Sequence, residues 1–323
     1  MERAAGGGGA VKADAPAIEL EGVAKRYGTV EALRGVSFAL PQGGRVALVG
    51  HNGAGKTTLM KLMLGLARPS GGRLRVLGRD PAEGAAETRR RLGWLPENVN
   101  FNPALTGREL LRFFAGLKGE PVTAADVLLD RVGLGAAARR RVGTYSKGMR
   151  QRLGLAQALL GGPRVLLLDE PTTGLDPQVR QEMYDVLTEL AGRGTTVLLS
   201  SHALEELEGR VDRVVILDHG RVVADGPVDE LRRLARLPAR LRLTLAGEEV
   251  PDWAGPDARR LAAGVVEVPC PAEARMAVLR RAAADPRVAD LDLVPPTLDE
   301  LYAHFLRARP GGDAGAGGRG SRA

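Results

Sequence analysis

The sequence predicts an α/β fold in which a largely parallel sheet carries a phosphate-binding loop, and three observations predict it. Residues 50–57 follow the pattern G-x-x-x-x-G-K-[ST] between an apolar run at 45–49 and a helical pattern. Residues 165–168 form a continuous apolar run, which is typical of a strand buried on both faces. That run ends in two carboxylates, Asp169 and Glu170, at the position where ligands collect in parallel sheets.

The loop at residues 50–57 has the residue types that phosphate binding needs. Its glycines lack Cβ atoms, so backbone amides can converge on phosphate oxygens, and the helix N-terminus adds partial positive charge. We expect Lys56 to neutralise the β- and γ-phosphates and the Thr57 hydroxyl to ligate Mg²⁺. An ordinary glycine turn would need neither residue. The expected nucleotide contacts are Gly50, His51, Asn52, Gly53, Ala54, Gly55, Lys56, Thr57 and Thr58.

Composition restricts the class of protein without selecting a partner. A chain of 323 residues is long enough for two domains. Its formal charge of +7, from 46 basic and 39 acidic residues, fits nucleic acid, an anionic membrane surface or a nucleotide equally well. Cys270 is the only cysteine, which excludes an internal disulfide and favours a reducing cytosol. We expect no secretory signal and no membrane span, so a spanning partner would be another chain.

The segments on either side of the loop predict two additions to the parallel sheet. Short β-like runs alternate with turns between residues 18 and 40, which predicts an antiparallel β layer. Tyr27, within that layer, could stack on a nucleotide base, but a tyrosine on a strand face would give the same pattern. Residues 105–143 read as helical, and Thr106-x-x-Glu109 is a capping box. We therefore expect a helical insertion at about 98–152.

Histidines occur in several segments of the chain. His202 follows a predicted buried strand at the same sheet edge as Asp169, so its imidazole could reach a γ-phosphate. A histidine after a strand is more often a structural hydrogen-bonding group, and both interpretations stay open. His51, His219 and His304 are expected to have no metal role, because none is paired at ligand spacing.

The pattern changes near residue 238 and gives the expected domain boundaries. Residues 17–237 form the nucleotide-binding domain, and 238–309 alternate strands and helices as a small α+β domain whose last helix begins with a capping box at Thr297. Residues 1–16 and 310–323 are rich in Gly, Ala and Arg, and we expect both ends to be disordered.

Residues 18–230 resemble the ATP-binding subunit of ABC transporters, a P-loop NTPase fold, with several motifs in the expected order. The resemblance implies ATP and Mg²⁺ as cofactors and a role for one residue or segment in each motif. By this resemblance, Tyr27 would stack on adenine, residues 50–57 would be the Walker A loop, and Glu97 would occupy the Q-loop position. Ser146 and Gly148 would belong to the signature, and Asp169 and Glu170 would be the Walker B pair. Asp176 would belong to the D-loop, and His202 would be the switch histidine.

The same resemblance implies a mechanism and an assembly. Lys56 and His202 would stabilise the γ-phosphate charge, Glu170 would orient or deprotonate the attacking water, and Thr57, Asp169 and Glu97 would hold Mg²⁺. In the family a second subunit completes each site with its signature, which implies a homodimer around two ATP. It also implies a separate membrane permease and a position on the inner face of the cell membrane.

Two segments depart from the family pattern. Glu97 replaces the usual glutamine and adds a negative charge beside the phosphates, so we hypothesise altered metal affinity or coupling. Lys147 and Met149 replace the common glycine and glutamine of the signature, whereas Ser146 and Gly148 are kept. The contact of the signature with the γ-phosphate should therefore survive.

At finer grain the chain resembles the ATPase that supports copper-site maturation of nitrous oxide reductase, on the basis of residues 51–53, 94–99, 104–109 and 145–149. That resemblance implies copper or sulfur cargo and a periplasmic accessory protein reached through the permease. An exporter of drugs or lipids is the alternative, because the ATPase motifs do not distinguish cargoes. A soluble nucleic-acid or ribosome clamp usually has two cassettes, so we expect no direct nucleic-acid partner.

Three phenylalanines lie near the Q-loop and in the predicted insertion: Phe101, Phe113 and Phe114. They could supply an apolar groove for a permease helix. Packing in the core of the insertion would explain them equally well.

Overall fold

The computed structural model describes residues 15–83 and 86–308, and these divide into two compact units at Asp225 and Gly226. Of the ends that we expect to be disordered, residues 1–14 and 310–323 lie outside the described residues, and residues 15 and 16 are described. Residue 309, which we expected in the second domain, also lies outside them. The sequence placed the boundary near 238, at the change of pattern. The structure instead assigns the helix Val228–Ala235 to the second unit, where Arg232 Nε donates to the carbonyl oxygen of Pro296 at 3.1 Å.

The first unit alternates strands and helices along the chain. Its strands are β1 (Ile18–Tyr27), β2 (Val30–Leu40), β3 (Arg45–Val49), β4 (Gly71–Val76), β5 (Leu92–Leu95), β6 (Val165–Leu168), β7 (Thr196–Ser201), β8 (Arg213–Asp218) and β9 (Arg221–Pro227), the last of which runs across the division. Its helices are α1 (Lys56–Met63), α2 (Ala86–Arg90), α3 (Gly107–Lys118), α4 (Thr123–Arg131), α5 (Lys147–Leu159) and α6 (Pro177–Gly192).

The central sheet has the strand order β5-β6-β7-β3-β8-β9, and the pairs from β5 through β8 are parallel. The four residues of β6 are all buried, as its uninterrupted apolar sequence predicts. Val49 pairs with Ser201, and Leu168 pairs with Leu199, so β3, β6 and β7 end at one edge. This register brings together the phosphate loop, the two carboxylates and His202, as predicted.

The predicted antiparallel layer is confirmed and has the order β2-β1-β4. Ile18 pairs with Leu40 on one side and with Val76 on the other. Buried apolar residues of this layer join Leu59 and Met63 of α1 in one core cluster that also contains Leu48 of β3. The layer therefore packs against the helix that begins inside the phosphate loop.

The helical insertion is also confirmed. Thr106 Oγ1 accepts from the amide of Glu109 at 3.2 Å, and a carboxylate oxygen of Glu109 accepts from the amide of Thr106 at 2.8 Å, which completes the predicted capping box of α3. Gly119 ends α3 in the left-handed conformation with φ 75°. Helix α4 and short 3₁₀ turns at Gly135–Ala137 and Val142–Thr144 complete the segment.

The second unit is an α+β domain, as predicted. It comprises α7 (Val228–Ala235), β10 (Ala239–Leu245), β11 (Arg259–Ala262), β12 (Val265–Cys270), α8 (Arg275–Ala284), β13 (Val288–Val294) and α9 (Leu298–Arg307). The antiparallel sheet has the order β11-β12-β10-β13. The sequence did not predict β11, because its four residues are all exposed and show no apolar alternation. In residues 15–83 and 86–308, no helix is both long and apolar enough for a bilayer crossing.

Candidate functional site

The phosphate loop needs glycine at two positions for reasons of space. A Cβ atom on Gly50 would lie 2.3 Å from the carbonyl oxygen of Leu217, and one on Gly55 would lie 2.8 Å from that of Ala32. Gly55 also has a φ of 109°, which residues other than glycine rarely adopt. The loop is therefore packed tightly between the end of β8 and strand β2.

The side chain of Lys56 is buried beneath this loop. Its Nζ donates to the carbonyl oxygen of Gly50 at 2.5 Å and lies 3.8 Å from Oε1 of Glu170. A buried ammonium group requires such partners, because leaving it unpaired in a low dielectric is costly. The amine is thus held at the wall of the cleft, between the loop and the carboxylates, where a phosphate oxygen would be a stronger partner.

Asp169 is the centre of a hydrogen-bond network at the sheet edge. Thr57 Oγ1 donates to its Oδ2 at 2.8 Å, and Ser200 Oγ donates to its Oδ1 at 2.6 Å. The Ser200 oxygen also accepts from the amide of Glu170 at 2.9 Å. The role of Ser200 was not predicted. The signal in the sequence is a polar residue at the end of a largely apolar strand.

Glu170 lies between Lys56 and His202. Its Oε2 accepts from Thr173 Oγ1 at 3.3 Å and is 2.8 Å from Nδ1 of His202. Its backbone φ is 49°, a left-handed conformation that is uncommon for a residue with a side chain and that clusters at functional sites. Glu170 is buried whereas His202 is exposed, so the histidine covers the carboxylate on its solvent side.

A cleft of about 410 Å³ lies over the loop and the carboxylates. Its volume is within the range of small-molecule sites. Ten of the predicted residues line it: His51, Asn52, Gly53, Gly55, Lys56, Thr57, Thr58, Glu97, Asp169 and Glu170. The other predicted residues, all within the described part of the chain, are outside its lining: Tyr27, Gly50, Ala54, Ser146, Gly148, Asp176 and His202.

Tyr27 is at the end of β1 with 47% of its surface exposed. Lys25 Nζ lies 4.8 Å from the centre of its ring, which is a cation–π contact. The ring is thus accessible to a base, and its role in adenine stacking stays a prediction.

Ser146 and Asp176 cap neighbouring helices. Ser146 Oγ accepts from the amide of Met149 at 3.2 Å at the start of α5, and Asp176 Oδ1 accepts from that of Val179 at 3.0 Å at the start of α6. A Cβ on Gly148 would lie 3.7 Å from Leu175 and Val179, so the two helix starts approach closely here.

Tyr145 anchors the segment that precedes Ser146. Its ring is buried, and its hydroxyl donates to the carbonyl oxygen of Ala137 at 2.8 Å. Burial raises the pKa of Tyr145, because the phenolate would lose its hydration. The start of α5 is therefore attached to the helical insertion.

Glu97 lines two neighbouring pockets. It lines the cleft beside Lys56 and Asp169, and it also lines a second pocket together with Lys147 and Arg150 of α5. Glu97 thus places a carboxylate between the cleft over residues 50–57 and the start of α5.

The structure also brings His51 and His219 together beside one oxygen of Asp218. Sequence spacing did not predict this cluster, because the two histidines are far apart in the chain and meet only through the pairing of β3 with β8.

Comparison with known proteins assigns the family. The sequence model described as ABC transporter matches residues 33–173. The chain is 39% identical over 308 residues to the daunorubicin resistance ATP-binding protein DrrA3 of Streptomyces coeruleorubidus, and the match covers 90% of this chain and 95% of that protein. This chain belongs to the ATP-binding subunits of ABC transporters.

Two further matches extend the assignment. The Nod factor export ATP-binding protein I of Burkholderia orbicola is 42% identical over 213 residues, which covers 65% of this chain and 70% of that protein. A solved structure of the ATP-binding subunit of an ABC transporter has a TM-score of 0.63 and 33% identity, and it covers 67% of this chain and 92% of that one. The predicted fold class is therefore confirmed.

As an ABC ATPase, the protein binds ATP with Mg²⁺ and couples ATP hydrolysis to transport. The residues of the cleft fit both groups. The Thr57 hydroxyl and the Asp169 carboxylate are the hard oxygen ligands that Mg²⁺ prefers, and the loop with Lys56 offers donors to phosphate oxygens. When bound, Mg²⁺ neutralises charge on the phosphate oxygens.

The role of Ser200 can be tested by comparing two adjacent serines. Ser200→Ala leaves Oδ1 of Asp169 and the amide of Glu170 without their partner, so we expect the KM for Mg²⁺-ATP to rise ~10- to 100-fold, as for other lost partners of metal ligands. Ser201, whose hydroxyl contacts Ala203 instead, is the matched control, and Ser201→Ala should behave like the parent. Steady-state ATPase assays over a range of Mg²⁺-ATP would measure both. Equal KM values for the two variants would contradict the assignment.

Proposed function

We propose that this protein is the ATPase subunit of an exporter, that it works as a homodimer around two ATP, and that it drives a separate membrane permease. The observation that carries the proposal is the convergence of Lys56, Asp169 and Glu170 in one cleft. Relatives named for daunorubicin resistance and for Nod factor export support the direction of transport.

The geometry supports a division of roles among the cleft residues. Lys56 holds the β- and γ-phosphates, and Thr57 and Asp169 hold Mg²⁺, with Glu97 as an additional oxygen ligand. Glu170 orients or deprotonates the attacking water, because its carboxylate is fixed in the cleft wall beside Lys56. His202, whose Nδ1 lies 2.8 Å from that carboxylate, would stabilise charge at the γ-phosphate.

The position of the signature residues supports the homodimer. Ser146 and Gly148 are outside the lining of the cleft in their own chain, so a second copy would have to supply these contacts. The dimeric structure of MJ0796, a bacterial ABC transporter cassette, has a TM-score of 0.60 and 25% identity and covers 65% of this chain and 98% of that one. Each dimer would then contain two composite sites.

The helical insertion supports contact with a permease. Phe113 is exposed, and its ring centre lies 5.6 Å from that of Phe114, which in turn lies 6.3 Å from Phe101. This aromatic cluster offers an apolar surface beside the Glu97 loop. Through such a contact the subunit would be bound to the cytoplasmic face of the membrane.

Copper-site maturation of nitrous oxide reductase stays a prediction that the named relatives do not support, and so does a periplasmic accessory protein. The names of those relatives concern daunorubicin and Nod factor, which are organic molecules. We therefore favour an organic cargo, a drug or a lipid. We also retain the expectation that the protein has no direct nucleic-acid partner.

Complementation between inactive variants tests the homodimer. Lys56→Ala removes the phosphate ligand, and Ser146→Arg blocks the signature, so each pure variant should hydrolyse ATP at a small fraction of the parent rate. In a mixed dimer, one site combines the native Lys56 of the Ser146→Arg chain with the native Ser146 of the Lys56→Ala chain, so this site is intact. The other site contains both substitutions. We expect an equimolar mixture to recover activity in a coupled phosphate-release assay. A mixture as inactive as its components would contradict the shared site.

Vesicle transport tests the cargo class. Inside-out vesicles would contain this chain together with the membrane chain that copurifies with it. We expect ATP-dependent accumulation of daunorubicin or of a lipid probe, and we expect Glu170→Gln to abolish it. Copper ions would be tested in parallel under the same conditions. ATP-dependent copper accumulation with no movement of either organic probe would contradict the export proposal and favour the copper assignment.

A further inference from the structure

Three side chains converge at one wall of the nucleotide cleft. His51 belongs to the phosphate loop, Asp218 ends β8, and His219 follows it in the turn to β9. Nε2 of His51 lies 3.1 Å from Oδ1 of Asp218, and Nε2 of His219 lies 3.7 Å from the same oxygen. One ligand atom from each residue lies within 4.8 Å of the other two.

The hydrogen bond at Nδ1 of His51 determines whether Nε2, which faces the carboxylate of Asp218, is a donor or an acceptor. Nδ1 of His51 lies 2.7 Å from the carbonyl oxygen of Asn52, so Nδ1 is the protonated nitrogen. In a neutral ring, Nε2 then carries a lone pair and points at a carboxylate oxygen only 3.1 Å away. Two acceptors at this distance repel each other, and a cation between them removes the repulsion. A backbone carbonyl on the other ring nitrogen is the usual support of a metal-bound histidine.

The ligand types and the distances to Asp218 suit a transition-metal ion. Tetrahedral Zn²⁺, with bonds of about 2.0–2.1 Å to nitrogen and oxygen, separates its ligand atoms by about 3.3 Å. The two distances to Asp218, 3.1 and 3.7 Å, lie on either side of this value, and all three ligand atoms lie within 4.8 Å of one another. A small movement of the exposed His219 side chain would bring the two histidines to the separation that a tetrahedral ion requires. Two imidazoles with one carboxylate suit Zn²⁺, Ni²⁺, Cu²⁺ or Co²⁺, whereas Mg²⁺ prefers oxygen ligands alone.

We propose that His51, Asp218 and His219 form a binding site for a Zn²⁺-class transition-metal ion, distinct from the Mg²⁺ site at Thr57 and Asp169. Asp218 has only 7% of its side-chain surface exposed and would be the fixed ligand. His219, with 64% exposed, lies on the solvent side, where an ion can enter and a fourth position can remain open to water.

The site would connect ATP binding to metal availability. Both histidines line the cleft that contains Lys56, so a bound ion would face any nucleotide in it. The ion would also fasten the phosphate loop to the end of β8. This consequence depends on the proposed nucleotide site, whereas metal binding itself does not.

Equilibrium dialysis of the nucleotide-free full-length protein against Zn²⁺ alone tests the site, with Co²⁺ absorption spectra as a report of tetrahedral coordination. The key variant is His219→Asn, because asparagine tolerates the left-handed φ of 44° at this exposed position and lacks the imidazole. We expect the parent to bind one equivalent, and His219→Asn to lose at least ~10-fold in affinity, since even outer partners of metal ligands have effects of that size.

Two control variants separate this site from other histidines. His304→Asn removes a histidine in the second unit, and His202→Asn removes the one beside the catalytic carboxylate, and both should keep the parent affinity. Loss of binding in His202→Asn with retention in His219→Asn would overturn the proposal, because the ion would then sit on the carboxylates of the Mg²⁺ site. Absence of stoichiometric binding by the parent would overturn it too.

Discussion

The carboxylate of Asp169 holds together three segments that are distant in sequence and adjacent at the edge of the central sheet. One oxygen accepts from Thr57 at the start of α1, and the other accepts from Ser200 near the end of β7. Because Ser200 also binds the amide of Glu170, the same network fixes the neighbouring carboxylate. One buried group thus helps to hold in place the start of α1, the end of β7 and the carboxylate that we expect to activate water.

A buried network of this kind is stabilising only when every member has a partner. Here β6 supplies the apolar support, since its four residues are buried and it pairs with β5 on one side and with β7 on the other. Glu170 has a left-handed conformation whose free-energy cost is of order 1 kcal/mol or more, and its side chain contacts Thr173 and His202. The site is therefore largely preorganised, as phosphoryl transfer requires, because its catalysis depends on positioning and charge neutralisation.

The sequence alone predicted the features that local patterns encode. The glycine loop, the buried strand before Asp169 and both capping boxes were legible because each depends on residues close together in the chain. The role of Ser200 and the cluster of His51 with His219 were not, since each depends on which strands are neighbours in the sheet. Strand β11 was not predicted, because its exposed residues lack the alternation of apolar and polar residues. The division at Gly226 was not predicted either, because α7 packs with residues that follow it in the chain.

The Mg²⁺ dependence of ATP affinity in Asp169→Asn tests the central claim most directly. ATP binding would be measured by calorimetry with and without Mg²⁺, in the parent and in the variant. Asparagine keeps the size of the side chain, its amide oxygen can accept from one of the two hydroxyls, and its NH2 can donate to the other. The loop should therefore stay in place, and metal-free binding should change little. The gain in affinity that Mg²⁺ gives the parent should disappear, because the asparagine amide is a weaker ligand than a carboxylate. A variant that keeps the full Mg²⁺-dependent gain would contradict the account.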